Sequence, residues 1–274
     1  MNLLKTPAFI IGIGLFLVTI FIALFFPMIF DINTNLRVGG PYMPPSGKHI
    51  FGTDHMGIDM LSLLVKGLRS SLYVGFLAGI IATITGTFLG VYAGFKGGVV
   101  DDIINMVTNL FIVIPQFVVL ILVSSSMEEG RSLSLIALLI GLTTWTWSAR
   151  AVRAQASSLK SRDHISLAKV NGAGTFKIVS MHILPYLLSY VFMVFIMQTA
   201  SGILSEAAIS MIGLGPFDTV SLGTILNQAM RNEALTDGAW WAFIPAMVLV
   251  TIIAFALYVI NTSMEGVFNP RLRK

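Results

Sequence analysis

Long apolar stretches, separated by short polar segments, dominate the chain. A bilayer core about 30 Å thick needs roughly 20 apolar residues per helix, because backbone amides left unpaired in lipid are costly. Stretches without Asp, Glu, Lys or Arg therefore predict six transmembrane helices, within Thr6–Phe30, Ser70–Phe95, Ile103–Met127, Ser132–Ala149, Ile178–Ser205 and Gly238–Met264. Because His182 and Pro185 interrupt the fifth stretch, we expect that helix to begin near Tyr186.

The first apolar stretch predicts a retained membrane anchor. A cleaved signal peptide is the alternative, but this stretch is longer than a usual signal core. It also has no small-x-small cleavage site before Asp31.

Composition supports an integral membrane protein and excludes several site chemistries. The 274 residues are 55% hydrophobic and 11% charged, with a mean hydropathy of +0.86. Soluble domains carry about 25% charged residues. The chain has no cysteine, which excludes disulfides, thiolate metal sites, iron–sulfur ligation and a cysteine nucleophile.

Basic residues favour one side of the predicted spans. With an even number of spans both termini share a side, and that side carries Lys5, Lys96, Arg150, Arg153, Lys160, Arg162, Lys169, Lys177, Arg271, Arg273 and Lys274. The other side carries Arg37, Lys48, Lys66, Arg69, Arg131 and Arg231, accompanied by most of the acidic residues. Since basic residues are retained in the cytoplasm, both termini are predicted to be cytoplasmic.

The polar segment 31–69 is too long to be a simple connector. It contains turn-forming Gly-Gly-Pro and Pro-Pro-Ser-Gly stretches. Beyond them, Ile58, Leu61, Val65 and Leu68 recur at helical intervals. This pattern predicts a short helix lying at the membrane surface before the second span.

The segment 150–185 predicts two short helices broken at residues 171–174, Asn-Gly-Ala-Gly. Glycine costs about 1 kcal/mol inside a helix and readily takes positive φ. Asp163 and Thr175 are the expected N-caps. One face is apolar, through Leu167, Val170, Phe176, Ile178 and Val179. Such a helix–turn–helix is suited to packing on another protein, and a basic loop lying on the membrane is the alternative.

Polar residues cluster in the fifth span. Gln198, Ser201 and Ser205 share one helical face. A carboxylate is expensive in lipid, so Glu206 should face the bundle interior or the outer mouth. These four residues predict a polar lining of a translocation pathway, with interhelical hydrogen bonding as the alternative.

The sequence offers no resident catalytic or metal site. His49, His55, His164 and His182 lie on both sides without an i, i+4 pair, which predicts no metal centre. No Gly-x-x-x-x-Gly-Lys-Ser/Thr loop is present, so the usual means of binding ATP phosphates is missing. The lack of a Gly-x-Ser-x-Gly stretch argues against an intramembrane serine protease.

Two stretches resemble importer-type ABC transporter permeases. Gly172 followed by Leu184-Pro185 resembles their cytoplasmic signature, although the Glu-Ala-Ala triplet of that signature reads Ser166-Leu167-Ala168 here. The outer segment resembles the Gly-Thr-Asp-x-x-Gly-Arg-Asp motif of dipeptide and oligopeptide permeases, with Ile58 in place of Arg. Its matching residues are Gly52, Thr53, Asp54, Gly57 and Asp59.

Two further stretches narrow the resemblance. Residues 206–215, Glu-Ala-Ala-Ile-Ser-Met-Ile-Gly-Leu-Gly, are similar to the Glu-Ala-x-Leu-Ser-Phe-Leu-Gly-Leu-Gly stretch of those permeases. The end, 269–273, resembles their Asp-Pro-Arg-Leu-Arg tail. Together the four stretches resemble the second, C-type permease subunit of the peptide and nickel importer family.

The resemblance implies an all-α, type I ABC importer permease fold in a prokaryotic inner membrane. It divides the chain into an anchor (1–30), an extracytoplasmic segment (31–69), a permease core (70–264) and a cytoplasmic tail (265–274). Contacts with an ATPase subunit would come from Asp163, Ser166, Ala168, Gly172, Ala173, Gly174, Leu184 and Pro185.

The same resemblance implies the partners and leaves the cargo open. They would be a homologous permease, two ATP-binding subunits that hold ATP and Mg²⁺, an extracytoplasmic substrate-binding protein and membrane lipid, but no nucleic acid. No cofactor is expected in this chain. Peptides are the default cargo, with nickel complexes or oligosaccharides as alternatives. A self-sufficient secondary transporter remains the rival class.

Overall fold

The computed structural model describes residues 6–30, 32–127 and 131–268, which form a bundle of long helices. The helices are α1 (Pro7–Ile29), α2 (Met60–Lys96), α3 (Gly98–Val113), α4 (Gln116–Ser125), α5 (Leu133–Leu159), α6 (Asp163–Val170), α7 (Thr175–Ile178), α8 (Leu184–Ile209), α9 (Leu222–Arg231) and α10 (Ile244–Phe268). Two π-helical turns, Val179–Ile183 and Ser210–Leu214, continue α8 at either end. A single 3₁₀ turn, Trp240–Ala242, precedes α10.

Contacts at the helix ends favour six crossings. Five helical stretches are long and apolar enough to cross, and α3 and α4 form a sixth only if this pair, bent by 72°, counts as one span. The Tyr42 hydroxyl donates to the Asn232 carbonyl at 2.9 Å, and Trp241 Nε1 donates to the Thr53 carbonyl at 3.1 Å. These contacts join the segment before α2 to the segment after α9, so an even number of crossings separates them. The bent pair therefore crosses once, as the sequence predicts.

The two ends of the bundle are distinct. We call the end that holds residues 32–58 and 215–239 the motif side. The other end, which holds residues 160–174, is the turn side. There Lys160 Nζ donates to the Lys96 carbonyl at 3.2 Å, and Arg153 pairs with Asp101 through two hydrogen bonds of 2.5 and 2.6 Å. These bonds tie α5 to the region where α2 ends and α3 begins.

Glycines let α2 lie directly against the backbone of α5. A Cβ atom at Gly90 would stand 2.5 Å from the Ala149 carbonyl oxygen, and one at Gly94 would stand 2.6 Å from that of Arg153. Gly86 meets α5 in the same way one turn earlier. Small residues are the usual means of close helix packing in lipid. The helix α2 is consequently the central element of the bundle.

The predicted surface helix before the second span is wrong. The helix α2 begins at Met60 and continues without interruption to Lys96. Its first turns are buried in protein, with Leu64, Val65 and Leu68 at most 3% exposed. The helical pattern of this stretch was real, but α9 and α10 cover its apolar face instead of lipid headgroups.

The third predicted span is a broken helix. The helix α3 ends at Val113, Ile114 takes an extended conformation, and α4 begins after Pro115. Proline has no backbone N–H and clashes with the preceding turn, which accounts for a break at this point.

Other boundaries also differ from the prediction. The helix α5 extends ten residues beyond the fourth predicted span, to Leu159. The helix α9 was not predicted, although the capping box formed by Ser221 and Thr224 marks its start. The expected caps are wrong by one residue, because Arg162 and Gly174 hold the N-cap positions ahead of Asp163 and Thr175.

Candidate functional site

The Gly-Thr part of the 52–59 motif forms a closed loop on the motif side. Thr53 Oγ1 donates to the Gly40 carbonyl and accepts from the Met43 amide, both at 2.8 Å. Gly52 has a φ of +65°, and a Cβ there would collide with the Met43 carbonyl and the Trp241 ring. Glycine is therefore needed at this position, and Thr53 is completely buried.

The Asp-x-x-Gly part of the motif forms the turn that follows. Asp54 Oδ1 accepts hydrogen bonds from the amides of Met56 and Ile58, at 2.9 and 2.8 Å. Gly57 has a φ of +79°, and a Cβ there would strike the Gly39 carbonyl. A carboxylate that bonds the backbone two and four residues on is typical of a side-chain-stabilised turn.

Asp59 ends the motif as the N-cap of α2. One carboxylate oxygen accepts from the Ser62 amide at 3.1 Å, and the other lies 3.0 Å from His49 Nδ1. The cap satisfies an amide that a transmembrane helix would otherwise leave unpaired. All five predicted motif residues are thus brought together, and their side chains and φ angles form the loop itself.

A tyrosine fastens this loop to the end of α9. Tyr42 donates its hydroxyl to the Asn232 carbonyl. Burial raises the pKa of the Tyr42 hydroxyl above its usual value, and the nearby carboxylates of Asp237 and Asp54 raise it further. The hydroxyl therefore remains a protonated donor well beyond neutral pH.

On the turn side, α6 ends in a Schellman motif. The Gly172 amide donates to the Lys169 carbonyl and the Ala173 amide donates to the Ala168 carbonyl, both at 3.0 Å. Gly172 has a φ of +76° and open space around its Cβ position. This is the hydrogen-bond pattern that lets a glycine end a helix and turn the chain sharply.

The apolar residues of this helix–turn–helix segment (Asp163–Ile178) divide into two sets. Ile165 and Ile178 are at most 2% exposed and anchor the segment to the bundle. Leu167, Val170 and Phe176 are 64%, 85% and 86% exposed. We call these three residues the apolar tip. A cluster of large apolar side chains in solvent at the end of a bundle is typical of a protein-contact surface.

The signature residues of this segment are also divided. Asp163, Ser166 and Gly174 are exposed, whereas Ala168 is buried and Ala173 is half-buried. Ser166 stands at the position where the family signature has its glutamate. Its hydroxyl makes no side-chain hydrogen bond within the described residues.

Leu184 and Pro185 lie where the helix–turn–helix segment joins α8. The Leu184 amide donates to the Val179 carbonyl, five residues back, which closes a π-helical turn. Pro185 occupies the first turn of α8, where a missing N–H is tolerated. The π turn and the proline thus lie within one continuous helical stretch that runs from α7 into the fifth span.

The polar residues of α8 have different environments. Gln198 is 4% exposed and donates to the Thr144 carbonyl at 2.9 Å and to Ser148 Oγ, which ties α8 to α5. Two adjoining cavities lie beside α8, one among α3, α5 and α8 and the other among α4, α8 and α10. Ser201 is half-buried and lines both of them. Gln198 lines only the first cavity, and Ser205 lines only the second.

Glu206 lies inside the bundle and is completely buried. Its two carboxylate oxygens accept hydrogen bonds from Ser71 Oγ and Ser210 Oγ, each at 2.7 Å. Ser71 Oγ in turn accepts from the Leu222 amide at 3.2 Å. Glu206 thus connects α2, the end of α8 and the start of α9, and it lines neither of the two cavities. Its assignment to the pathway stays a prediction.

Gln116 is a candidate site residue that was not predicted. This residue begins α4 and lines both cavities. The signal was present, because a polar amide directly after a proline in an apolar run indicates a helix break that is not exposed to lipid.

Residues 86–274 match the family described as the binding-protein-dependent transport system inner membrane component. This match includes more than half of the chain, from the middle of α2 onward. The chain belongs to this family. It is therefore a membrane transport component with a helical permease fold, as the four resembling stretches indicate. The tail 269–273, which carries the fourth of them, lies outside the described residues.

Relatives of this inner membrane component extend over nearly the whole chain. The oligopeptide transport system permease protein OppC of Lactococcus lactis subsp. lactis (strain IL1403) is 29% identical over 94% of this chain and 88% of its own. The dipeptide transport system permease protein DppC of Bacillus subtilis (strain 168) is 31% identical over 85% and 72%. The metal-staphylopine import system permease protein CntC of Staphylococcus aureus (strain NCTC 8325 / PS 47) is 32% identical over 99% and 93%.

Proposed function

We propose that this chain is the C-type permease subunit of an ATP-driven importer. It forms half of a translocation pathway for dipeptides or oligopeptides that a binding protein delivers on the motif side. Both termini and the turn side face the cytoplasm, in agreement with the excess of basic residues there.

The observation that carries the proposal is the apolar tip. Leu167, Val170 and Phe176 are exposed at the end of a segment that buried isoleucines anchor to the bundle. A segment of this kind fits a cleft on a separate subunit. The chain itself has no phosphate-binding loop, so ATP and Mg²⁺ belong to that subunit.

The segment can transmit movement because it is rigidly joined to α8. The π turn and α8 continue from α7 without a break, so a pull on the segment acts directly on the fifth span. Closure of an ATPase dimer on ATP would thereby favour one of two arrangements of the pathway. Such alternating access is a two-state equilibrium biased by differential binding.

The test is to tag the chain, extract it gently from its native membrane and identify what co-purifies. We expect a homologous six-span permease and ATPase subunits. A Phe176→Asp variant should lose the ATPase subunits but keep the second permease. A chain that purifies alone and transports in liposomes without ATP would instead establish a secondary transporter.

A metal chelate is the second candidate cargo. The resemblance to CntC, a metal-staphylopine import system permease protein, covers 99% of this chain and favours this alternative specifically. Screening the associated binding protein with peptides, nickel complexes and oligosaccharides separates the candidates, because each would raise the melting temperature of that protein only when bound.

A further inference from the structure

Two cavities meet at the break between α3 and α4. One, of about 390 Å³, lies among α3, α5 and α8, and the other, of about 730 Å³, lies among α4, α8 and α10. Gln116, Met197 and Ser201 line both, so the cavities adjoin each other. They lie beside the middle of α8 and α10, at the depth of the apolar spans.

Gln116 has hydrogen-bonding capacity to spare at this junction. Its Nε2 donates to Ser205 Oγ at a long 3.4 Å, and this is the only side-chain hydrogen bond it makes within the described residues. Gln198, by contrast, donates twice to α5 through its amide nitrogen. A half-buried amide with unused donors and acceptors can form hydrogen bonds with a ligand in the cavity.

The walls of both cavities are mostly apolar, with uncharged amide and hydroxyl groups at a few positions. Among the described residues, the lining consists of amides, hydroxyls, aromatic rings and apolar side chains, without Asp, Glu, Lys, Arg or His. An ion that leaves water for such a wall loses hydration without gaining an opposite charge, whereas an amide group can exchange its water for the glutamine and hydroxyl groups.

We propose that Gln116 is a cargo-contacting residue, and that this wall accepts the main-chain amides of a peptide with little net charge. This inference rests on the proposed function and narrows its cargo class. It disfavours a net-anionic metal chelate, which would need a cation in the wall. Because the helix is broken at Pro115, Gln116 lies at the start of α4 and lines both cavities.

The first test uses the natural lack of cysteine in this chain. Gln116→Cys is compared with Leu122→Cys, which places a thiol on the same helix at a residue that lines neither cavity and is 64% exposed. In the reconstituted complex we expect a charged, water-soluble thiol reagent to label the Gln116→Cys chain at least tenfold faster, and peptide-loaded binding protein with ATP to slow that labelling. Equal, slow labelling of both variants would overturn the inference.

The second test measures cargo charge directly. ATP-driven uptake of three tripeptides with side-chain charges of −1, 0 and +1 is measured for wild type, Gln116→Glu and Gln116→Lys, each as a ratio to wild type so that the preference of the binding protein cancels. Gln116→Glu should depress uptake of the anionic peptide about tenfold more than that of the cationic peptide, and Gln116→Lys should reverse this order.

A matched control is Gln155→Glu, which makes the same change at an exposed residue outside both cavities. It should change all three ratios by the same factor. If Gln116→Glu does likewise, Gln116 does not contact cargo. If wild type imports none of the peptides although its complex assembles and hydrolyses ATP, the peptide function itself fails, which is a different result.

Discussion

At the scale of single residues, the polar side chains of the spans differ in whether the protein already satisfies them. Glu206 and Gln198 are buried and firmly bonded to neighbouring helices. Gln116 and Ser201 are half-buried and line both cavities, and Gln116 makes only a long hydrogen bond to Ser205 among the described residues. In a membrane interior an unsatisfied polar group is costly, so a bonded one stabilises packing and an unbonded one implies a ligand or water. The same residue types thus have different functions.

Removing the Glu206 carboxylate should destabilise the protein. Glu206→Ala removes the acceptor of the Ser71 and Ser210 hydroxyls and opens a cavity, and each effect costs about 1–3 kcal/mol. Glu206→Gln should cost less than half as much, because its amide can accept from Ser71 while donating to Ser210. Thermal unfolding of the detergent-purified complex measures both variants. Unfolding of both at the wild-type temperature would show that the hydrogen bonds contribute nothing.

At the scale of elements, backbone proximity decides how α2 packs. Gly86, Gly90 and Gly94 repeat every fourth residue along the face that meets α5. Helices that approach this closely gain dispersion contacts over their length, but no side chain can be added at the contact.

Gly90→Ala should therefore separate α2 from α5 and destabilise the protein by about 1–3 kcal/mol, as overpacking does. Gly14→Ala is the matched control, because a Cβ at Gly14 of α1 has open space around it. That variant should be neutral or slightly more stable. Similar melting temperatures for the two variants would contradict the packing argument.

The Schellman motif that ends α6 gives a second prediction for an element. Gly172 has positive φ and open surroundings, so the backbone angle alone restricts the residue. Gly172→Asn should retain transport, because asparagine tolerates this conformation, whereas Gly172→Val should cost about 1–2 kcal/mol locally and reduce ATP-driven uptake several-fold. Membrane insertion should be unchanged in both, as measured by protein level in the membrane. Equal uptake by the two variants would show that the backbone conformation at residue 172 does not limit transport.

At the scale of the whole molecule, two distant loops establish the topology. The segment before α2 and the segment after α9 touch through Tyr42, Asn232, Thr53 and Trp241. This contact requires the bent α3–α4 pair to cross the membrane. If the pair instead entered and left on one side, the two segments would lie on opposite faces of the bilayer.

Single cysteines test this topology, again because the chain has none of its own. Gly47→Cys and Leu235→Cys, both at exposed positions, should react with a membrane-impermeant thiol reagent added to intact cells. Ser161→Cys should react only after the membrane is opened. Protection of Leu235→Cys in intact cells, with Gly47→Cys labelled, would indicate five crossings.

The sequence by itself determined the class of the protein and much of its local structure. Span number, the glycine turn at Gly172 and the 52–59 motif could all be predicted, because hydrophobic length and turn chemistry act between residues close along the chain. The family resemblance followed from the same short stretches, and the match over residues 86–274 confirmed it.

Only the tertiary structure decided which partner each residue has. The helical pattern around Leu68 was read correctly as a helix but wrongly as a surface helix, because protein and lipid are equally apolar partners for such a face. Gln116 and Gln198 are the same residue type in apolar stretches and both line a cavity, yet only Gln198 donates hydrogen bonds to α5. The reason is physical: burial and hydrogen bonding in a bundle are set by helices far apart in sequence, and an apolar pattern does not record which neighbour covers it.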